Sequence, residues 1–237
     1  MAHTMAQTTN KPAWVDLASD DAAASRDFYA KLFGWQVDVN PDPQYGGYGI
    51  AKLAGSDAAG IGPKQDPDAP TAWNLYIGTD DIDALARRVT DNGGAVVAPP
   101  FNVGDQGRMA VFLDPAGAFI SAWQGTRMGG FQTDAPGSFG WTVKTSPMGE
   151  GQPPYNEFQL DGQSVAGAWE MNPSIPADVP SYWQIYFAVD DVDAAFRKAL
   201  DLGAREIFAP TDYPGGRFAI VSDPQGASFG LIQVSPR

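Results

Sequence analysis

Residues 73–124 read WNLYIGTDDIDALARRVTDNGGAVVAPPFNVGDQGRMAVFLDPAGAFISAWQ, and residues 183–233 read WQIYFAVDDVDAAFRKALDLGAREIFAPTDYPGGRFAIVSDPQGASFGLIQ. They are two copies of one unit, about 110 positions apart, with a slip of one residue in the loop before Arg108 and Arg217. Each copy opens on an apolar strand. An acidic N-cap and an amphipathic helix follow, then a Gly turn and a short strand reaching a Pro. A Gly-Arg pair starts the next strand, and Asp-Pro-x-Gly leads into the last. The order is β-α-β-β-β. Two copies at this spacing make a duplicated domain, not a solenoid.

The helices are read from their ends and their apolar stripe. Thr79-Asp80-Asp81 offers N-cap oxygens, and acids there suit the helix dipole. Ile82, Leu85, Ala86 and Val89 recur at helical spacing, and Asn92-Gly93-Gly94 ends the run. Val96-Val97 is a short strand stopped by Pro99-Pro100, with a loop over 101–107. Upstream, Trp14 to Leu17 alternates as a strand. Ser19-Asp20-Asp21 caps a helix over 21–32 with Phe28, Tyr29 and Leu32 on its apolar face, and Gly34 closes it. Trp35 to Val39, 48–53 and 58–62 are further strands, and 63–72 is a Pro- and Asp-rich loop.

The domain plan is a polar N-terminal tail over 1–12, read as disordered, a first module over 13–126, a linker over 127–138, and a second module over 139–237. The second module is short. Phe139-Gly140-Trp141-Thr142-Val143 matches Phe33-Gly34-Trp35-Gln36-Val37, and nothing in the second half matches Trp14 to Leu32. The second module therefore lacks its first strand and first helix. An incomplete module leaves an unpaired sheet edge and exposed apolar surface. Dimerisation across that edge, or a loss of stability, is expected.

Composition excludes several function classes. Lys+Arg 15 against Asp+Glu 28 gives a net charge of −13, the wrong sign for nucleic acid or for an anionic membrane surface. There is no Cys, so there is no disulfide or thiolate site. Neither a membrane span nor a signal-peptide core is read, which fits a cytoplasmic protein. His3, in the polar tail, is the one histidine. No Ser-His-Asp triad can be built without another, and no Gly-rich phosphate loop appears.

With Trp-x-x-Tyr-x-x-x-Asp-Asp-x-Asp-Ala and Gly-Arg-x-x-x-x-x-Asp-Pro-x-Gly each present twice, the chain resembles the vicinal oxygen chelate superfamily, the glyoxalase, bleomycin-resistance and extradiol-dioxygenase group. The resemblance covers about residues 13–237. It implies an α+β fold of paired βαβββ modules, whose mixed sheets curl into a cup around a ligand or metal. It also implies metal ligands at set places. The first-strand position falls on Trp14, the pre-cap positions on Asn74 and Gln184, and the last-strand glutamate positions on Ser121 and Gly230. Only the two amides are plausible donors, and amide oxygens alone hold a catalytic metal poorly. The reading carries no metal and no cofactor, and weighs against dioxygenase chemistry.

Strand alternation pairs Trp14 with Asp16, Asn74 with Tyr76, Ser121 with Trp123, and Gln184 with Tyr186 on common faces. If the ligand-equivalent positions face the cup, these residues line it, and a small organic molecule is the expected partner. Filling of the core is the alternative use of the aromatics. Asp16 is a candidate acid or base, because a carboxylate among aromatics is costly unless paired or protonated. Tyr76 and Arg108 are candidates beside it, with Arg217 at the position matching Arg108. Either Arg could pair with Asp16 or clamp an anionic ligand, or could tie down its own Asp-Pro turn at Asp114 or Asp223, which is favoured. Glu157 and Glu170 are further carboxylates of uncertain facing. The expected function is metal-free binding of a small organic molecule, of the sequestration or resistance type. The alternatives are a metal-independent lyase or isomerase using Asp16, and aldehyde detoxification by analogy with the family.

Overall fold

In the computed structural model, which describes residues 9–128, 130–147, 155–171 and 179–234, each acidic cluster starts a helix. Asp21 caps α1 (Ala22–Phe33), Asp81 caps α2 (Ile82–Asp91) and Asp191 caps α3 (Val192–Asp201). Each carboxylate accepts an otherwise unpaired first-turn amide at 2.8–2.9 Å, from Ala24, Ala84 and Ala194. Gly34 ends α1 in the left-handed region, at φ 78°, where its lack of a Cβ removes the strain. No helix among the described residues is long and apolar enough to cross a membrane.

The strands fall into four motifs. The first is β1 (Pro12–Ser19), α1, β2 (Gln36–Val39), β3 (Gly49–Leu53) and β4 (Ser56–Pro63). The second is β5 (Ala72–Gly78), α2, β6 (Ala95–Val103), β7 (Gly107–Leu113) and β8 (Phe119–Gly125). The third keeps β9 (Phe139–Ser146), β10 (Tyr155–Leu160) and β11 (Gln163–Glu170). The fourth is β12 (Tyr182–Ala188), α3, β13 (Arg205–Tyr213), β14 (Gly216–Ser222) and β15 (Ser228–Val234). They form an eight-stranded sheet in the order β2-β3-β4-β1-β5-β8-β7-β6 and a seven-stranded sheet in the order β10-β11-β9-β12-β15-β14-β13. Each motif closes with its first strand parallel to its last: Asp16 opposite Gly60, Tyr76 opposite Ser121, Val143 opposite Gly167, and Tyr186 opposite Gly230. The fold is α+β with mixed sheets, as expected.

Three expectations need correction. β6 runs through Pro99 and Pro100 to Val103, although a stop at the prolines was expected. The strand lies at a sheet edge and shifts register on both sides of Ala98, so the missing amides disturb no interior ladder. Thr9 to Lys11, assigned to the tail, are tied to β5: Asn10 N donates to Gly78 O at 2.8 Å and Gly78 N to Lys11 O at 2.9 Å. His3 lies outside the described residues.

The third correction concerns which elements the second module lacks. The helix is absent among the described residues, as expected, but the first-strand place is filled. β9, whose sequence matches β2, lies between β11 and β12 and pairs parallel with β11, as β1 does with β4. Trp141 therefore stands where Trp14 stands in β1, and the strand left out is the outer one. An interior place satisfies backbone groups on two sides, whereas an edge place satisfies them on one. A single strand left for two places goes to the one that pairs more. The expected exposed apolar surface follows at the edge: Tyr155, Phe158 and Trp169 are about two-fifths exposed, whereas Ala51 of β3, in Phe158's place, is fully buried.

Two compact units result. Unit 1 comprises Met1–Trp14, Asn74–Gly130 and Thr142–Gln184; unit 2 comprises Val15–Trp73, Phe131–Trp141 and Ile185–Arg237. Unit 2 thus joins most of the first and fourth motifs, and unit 1 most of the second and third. In unit 2, Phe28, Tyr29, Phe33, Trp35, Trp73, Phe187 and Phe229 form one aromatic cluster, with Tyr29 5.2 Å from Trp73 and 5.3 Å from Phe229. In unit 1, Ile82, Ala110, Phe112 and Ala122 are buried under α2, with Leu85, Ala86, Val89 and Ile120 packed against them. Each large side chain so buried contributes about 1.5–3 kcal/mol.

Candidate functional site

Asp16 is the carboxylate that β1 carries into the fold. It is 9% exposed and alternates with Val15 and Leu17, which face the other side of the sheet. The two arginines are engaged elsewhere, on Asp83, Asp193 and Asp212. Tyr48, just before β3, donates its hydroxyl to Asp16 Oδ2 at 3.0 Å. The ring reaches that position across Gly60 and Gly62 of β4. A Cβ at Gly60 would stand 1.8 Å from the Tyr48 hydroxyl, and one at Gly62 would stand 2.7 Å from its ring. Two glycines on one strand face thus make a seat for an aromatic ring. Sequence reading missed Tyr48, and the Gly60-x-Gly62 spacing is the signal that could have found it.

Tyr186 and Gly230 repeat this relation in the fourth motif. A Cβ at Gly230 would lie 2.0 Å from the Tyr186 ring, which also meets Phe218 edge-on at 6.2 Å. Position 230 is one of the two where the family resemblance requires a glutamate, and the Tyr186 ring fills that space. At the other, Ser121 is buried opposite Tyr76. The first-strand positions carry Trp14 and Trp141. Asn74 is half-buried, and Gln184 is buried. Trp123 donates its indole N–H to Met128 O at 3.0 Å. Among the described residues no group of three or more His, Cys, Asp or Glu could hold a metal ion. With tryptophan, serine, glycine and two amides at the ligand positions, the donors do not fit the divalent metal the family implies.

Arg108 and Arg217 take the same place in two motifs and hold the same partner. Arg108 grips Asp83 of α2 with two hydrogen bonds, 2.5 and 3.1 Å. Arg217 grips Asp193 of α3 at 2.8 and 3.0 Å, and adds Asp212 at 2.7 Å. Neither ties down its own Asp-Pro turn, which corrects the favoured expectation. The third acid of each Asp-Asp-x-Asp run is what the arginine meets, and its guanidinium holds the Asp83 and Asp193 carboxyls below the ordinary range. Of the other carboxylates, Glu157 accepts the Ser164 hydroxyl and Glu170 is exposed.

The Asp-Pro turns are partnered in two ways. Asp223 is fully buried, and its Oδ1 accepts the Gln225 and Ala227 amides at 2.9 Å. Its Oδ2 accepts the Tyr29 hydroxyl at 3.0 Å, and that hydroxyl accepts the Trp73 indole N–H at 2.9 Å. Burial pushes the Asp223 carboxyl up, against the donors that pull it down. Burial, then the neighbouring Asp223 charge, pushes the Tyr29 hydroxyl well above its usual range, so it stays protonated and donates. Asp114 keeps the turn bonds, to Ala116 and Ala118 at 2.8 and 3.1 Å. Its Oδ2 faces Lys144 Nζ at 2.8 Å, off the line a hydrogen bond requires.

The candidate residues divide between the units. Asp16, Tyr48, Tyr186 and Arg217 belong to unit 2; Trp14, Asn74, Tyr76, Arg108, Ser121, Trp123 and Gln184 belong to unit 1. Asp16 with Tyr48 is the pair equipped for chemistry: a buried carboxylate and a phenol, each able to anchor a polar ligand group or pass a proton.

Comparison with known proteins places this geometry. The family model described as Glyoxalase/Bleomycin resistance protein/Dioxygenase superfamily matches residues 11–121 and 134–231. The "Putative glyoxylase CFP32" of Mycobacterium tuberculosis (strain CDC 1551 / Oshkosh) is 38% identical over 254 residues, covering 95% of both chains. The "Anthracycline biosynthesis protein DnrV" of Streptomyces peucetius is 37% identical over 257, covering 94% of this chain and 93% of that one. Both alignments are longer than the 237 residues of this chain, so both relatives carry residues that it lacks. Among solved structures, the Mn(II)-bound glyoxalase from Novosphingobium aromaticivorans superposes with a TM-score of 0.62 at 16% identity, over 95% of this chain and 82% of that one. The 2,3-dioxygenase LapB from Pseudomonas sp. KL28 gives 0.60 at 13%, over 97% and 94%. At these identities the likeness is one of fold.

Proposed function

The chain belongs to the Glyoxalase/Bleomycin resistance protein/Dioxygenase superfamily, and from that premise we propose that it binds a small organic molecule through Asp16 and Tyr48, without the family's metal. The Asp16–Tyr48 pair carries this reading. A carboxylate 9% exposed, with a phenol 3.0 Å away, is a fixed polar group of the kind that orients a ligand in a mostly apolar site. The donor set supports the metal-free part: the residues at the ligand positions do not fit a divalent ion, and Tyr186 occupies the space of one of them. The ligand class is a flat hydroxylated aromatic of the polyketide type. The relatives named for anthracycline biosynthesis support that class, and the role is sequestration.

The same pair favours a second reading, in which Tyr48 turns its one O–H from Asp16 to the substrate's carbonyl oxygen and Asp16, so released, takes a proton from the neighbouring carbon, leaving an enolate held by Tyr48. One experiment separates the two. The purified chain is titrated with an anthracycline, with and without chelator, and its metal content is measured. Saturable binding that ignores the chelator, and weakens about tenfold or more in Asp16→Asn, is expected. Stoichiometric metal whose removal abolishes binding would overturn the metal-free reading. Turnover that Asp16→Asn abolishes while binding persists would establish the second.

A further inference from the structure

Tyr29 does two things at once in unit 2, and unit 1 holds both of its partners' counterparts. Trp73 opens the copied stretch in the second motif, and Trp183 opens it in the fourth; Asp223 and Asp114 head the two Asp-Pro-x-Gly turns. In unit 2 the Tyr29 hydroxyl accepts from Trp73 and donates to Asp223. In unit 1 the helix that would carry such a tyrosine is absent among the described residues. Trp183 Nε1 is a buried atom with no hydrogen-bond partner, and buried Asp114 Oδ2 makes no aligned hydrogen bond but is ion-paired with Lys144 at 2.8 Å. A buried polar atom without a hydrogen bond costs about 1–3 kcal/mol, and the counterparts of these two atoms in unit 2 share one partner, the Tyr29 hydroxyl.

The two groups border the same strand. Lys144 of β9 reaches Asp114, and two residues earlier Thr142 donates its hydroxyl to Gln184 O at 3.0 Å, beside Trp183. Phe158 packs on the Trp183 ring at 5.9 Å. The wall is therefore aromatic, with one donor, one acceptor and a cation beside the acceptor.

We propose that unit 1 binds a phenol here, its hydroxyl accepting from Trp183 Nε1 and donating to Asp114 Oδ2. The ligand reproduces the two hydrogen bonds that Tyr29, a side chain of the protein itself, makes in unit 2. The site lies in unit 1 and uses neither Asp16 nor Tyr48, so its failure would leave the reading of that pair standing.

The probe is 4-methylphenol, the tyrosine side chain as a free molecule, with toluene as its partner lacking the hydroxyl. Indole N–H resonances of the full chain are followed by nitrogen-15 NMR, with Trp183 assigned by its loss in Trp183→Phe. We expect a saturable shift of the Trp183 resonance with 4-methylphenol and none with toluene. Affinity, read from ring resonances of the ligand, should fall about tenfold in Trp183→Phe and in Asp114→Asn. A Trp183 resonance that does not move, an equal response to toluene, or an affinity unchanged in both variants would overturn the proposal.

Discussion

Asp223 and Asp114 head the same turn in two copies of one motif, make the same two bonds to their own backbone, and meet different partners beyond it. Asp223 has a helix above it, and Tyr29 of that helix joins it to Trp73. Asp114 has a lysine from β9, and the tryptophan matching Trp73 is left without a hydrogen bond. The difference shows what a lost helix takes with it. Apolar area is one part, and neighbouring side chains replace some of it, as Phe158 does against Trp183. The other part is hydrogen bonds owed to distant elements. Lys144 answers the charge of Asp114 from the place that Leu17, 1% exposed, holds in β1, counting each strand from its glycine-paired residue. It does not answer the directional bonds, because a charge partner is less exacting about geometry than a hydrogen bond.

The sharpest way to break this comparison is to delete one hydrogen-bonding group from each side. Tyr29→Phe leaves Trp73 as Trp183 already is, and Asp223 without even the lysine that Asp114 has, and is expected to cost about 1–3 kcal/mol in urea unfolding. Trp183→Phe removes a donor that is already unpaired and is expected to cost far less. Equal losses would mean that the two turns do not differ as described.

A smaller effect lies in pH. The Asp223 carboxyl holds its proton more tightly folded than unfolded, so ionising it weighs against folding. Its contribution is complete below the unfolded value of 3.8 and is lost as pH rises through the raised folded value. Asp223→Asn should therefore flatten the fall in thermal midpoint with rising pH above about 4. A slope identical to that of the parent would remove Asp223 as its source.

The smallest effect tests where the two halves agree. Arg108 and Arg217 are partly exposed ties between a strand and its helix, their side chains 34% and 30% exposed, and ties so open to water contribute little. Arg217→Ala, which frees Asp193 and Asp212, should lower the thermal midpoint more than Arg108→Ala, which frees Asp83 alone. Both differences should shrink in high salt.

The elements were legible where their causes are local. Caps at Asp21, Asp81 and Asp191, the glycine stop at Gly34, and the turn signature at Asp114 and Asp223 act within a few residues, and each was read from sequence. The partners of Asp16, Arg108 and Arg217 were not. Each side chain reaches an element that spacing along the chain does not identify, and several carboxylates competed for each arginine on paper. β9 was misplaced for a related reason. Its residues match an edge strand, while its place was decided by the ladders open to it.

Gly230 gives the chain's further evolution a direction. A carboxylate introduced there in one step would find the Tyr186 ring 2.0 Å from its Cβ. Tyr186 has to change first, and that change alone gives up the edge-on contact with Phe218 before anything is regained. An acidic residue at position 230 is thus latched out by the ring that covers it.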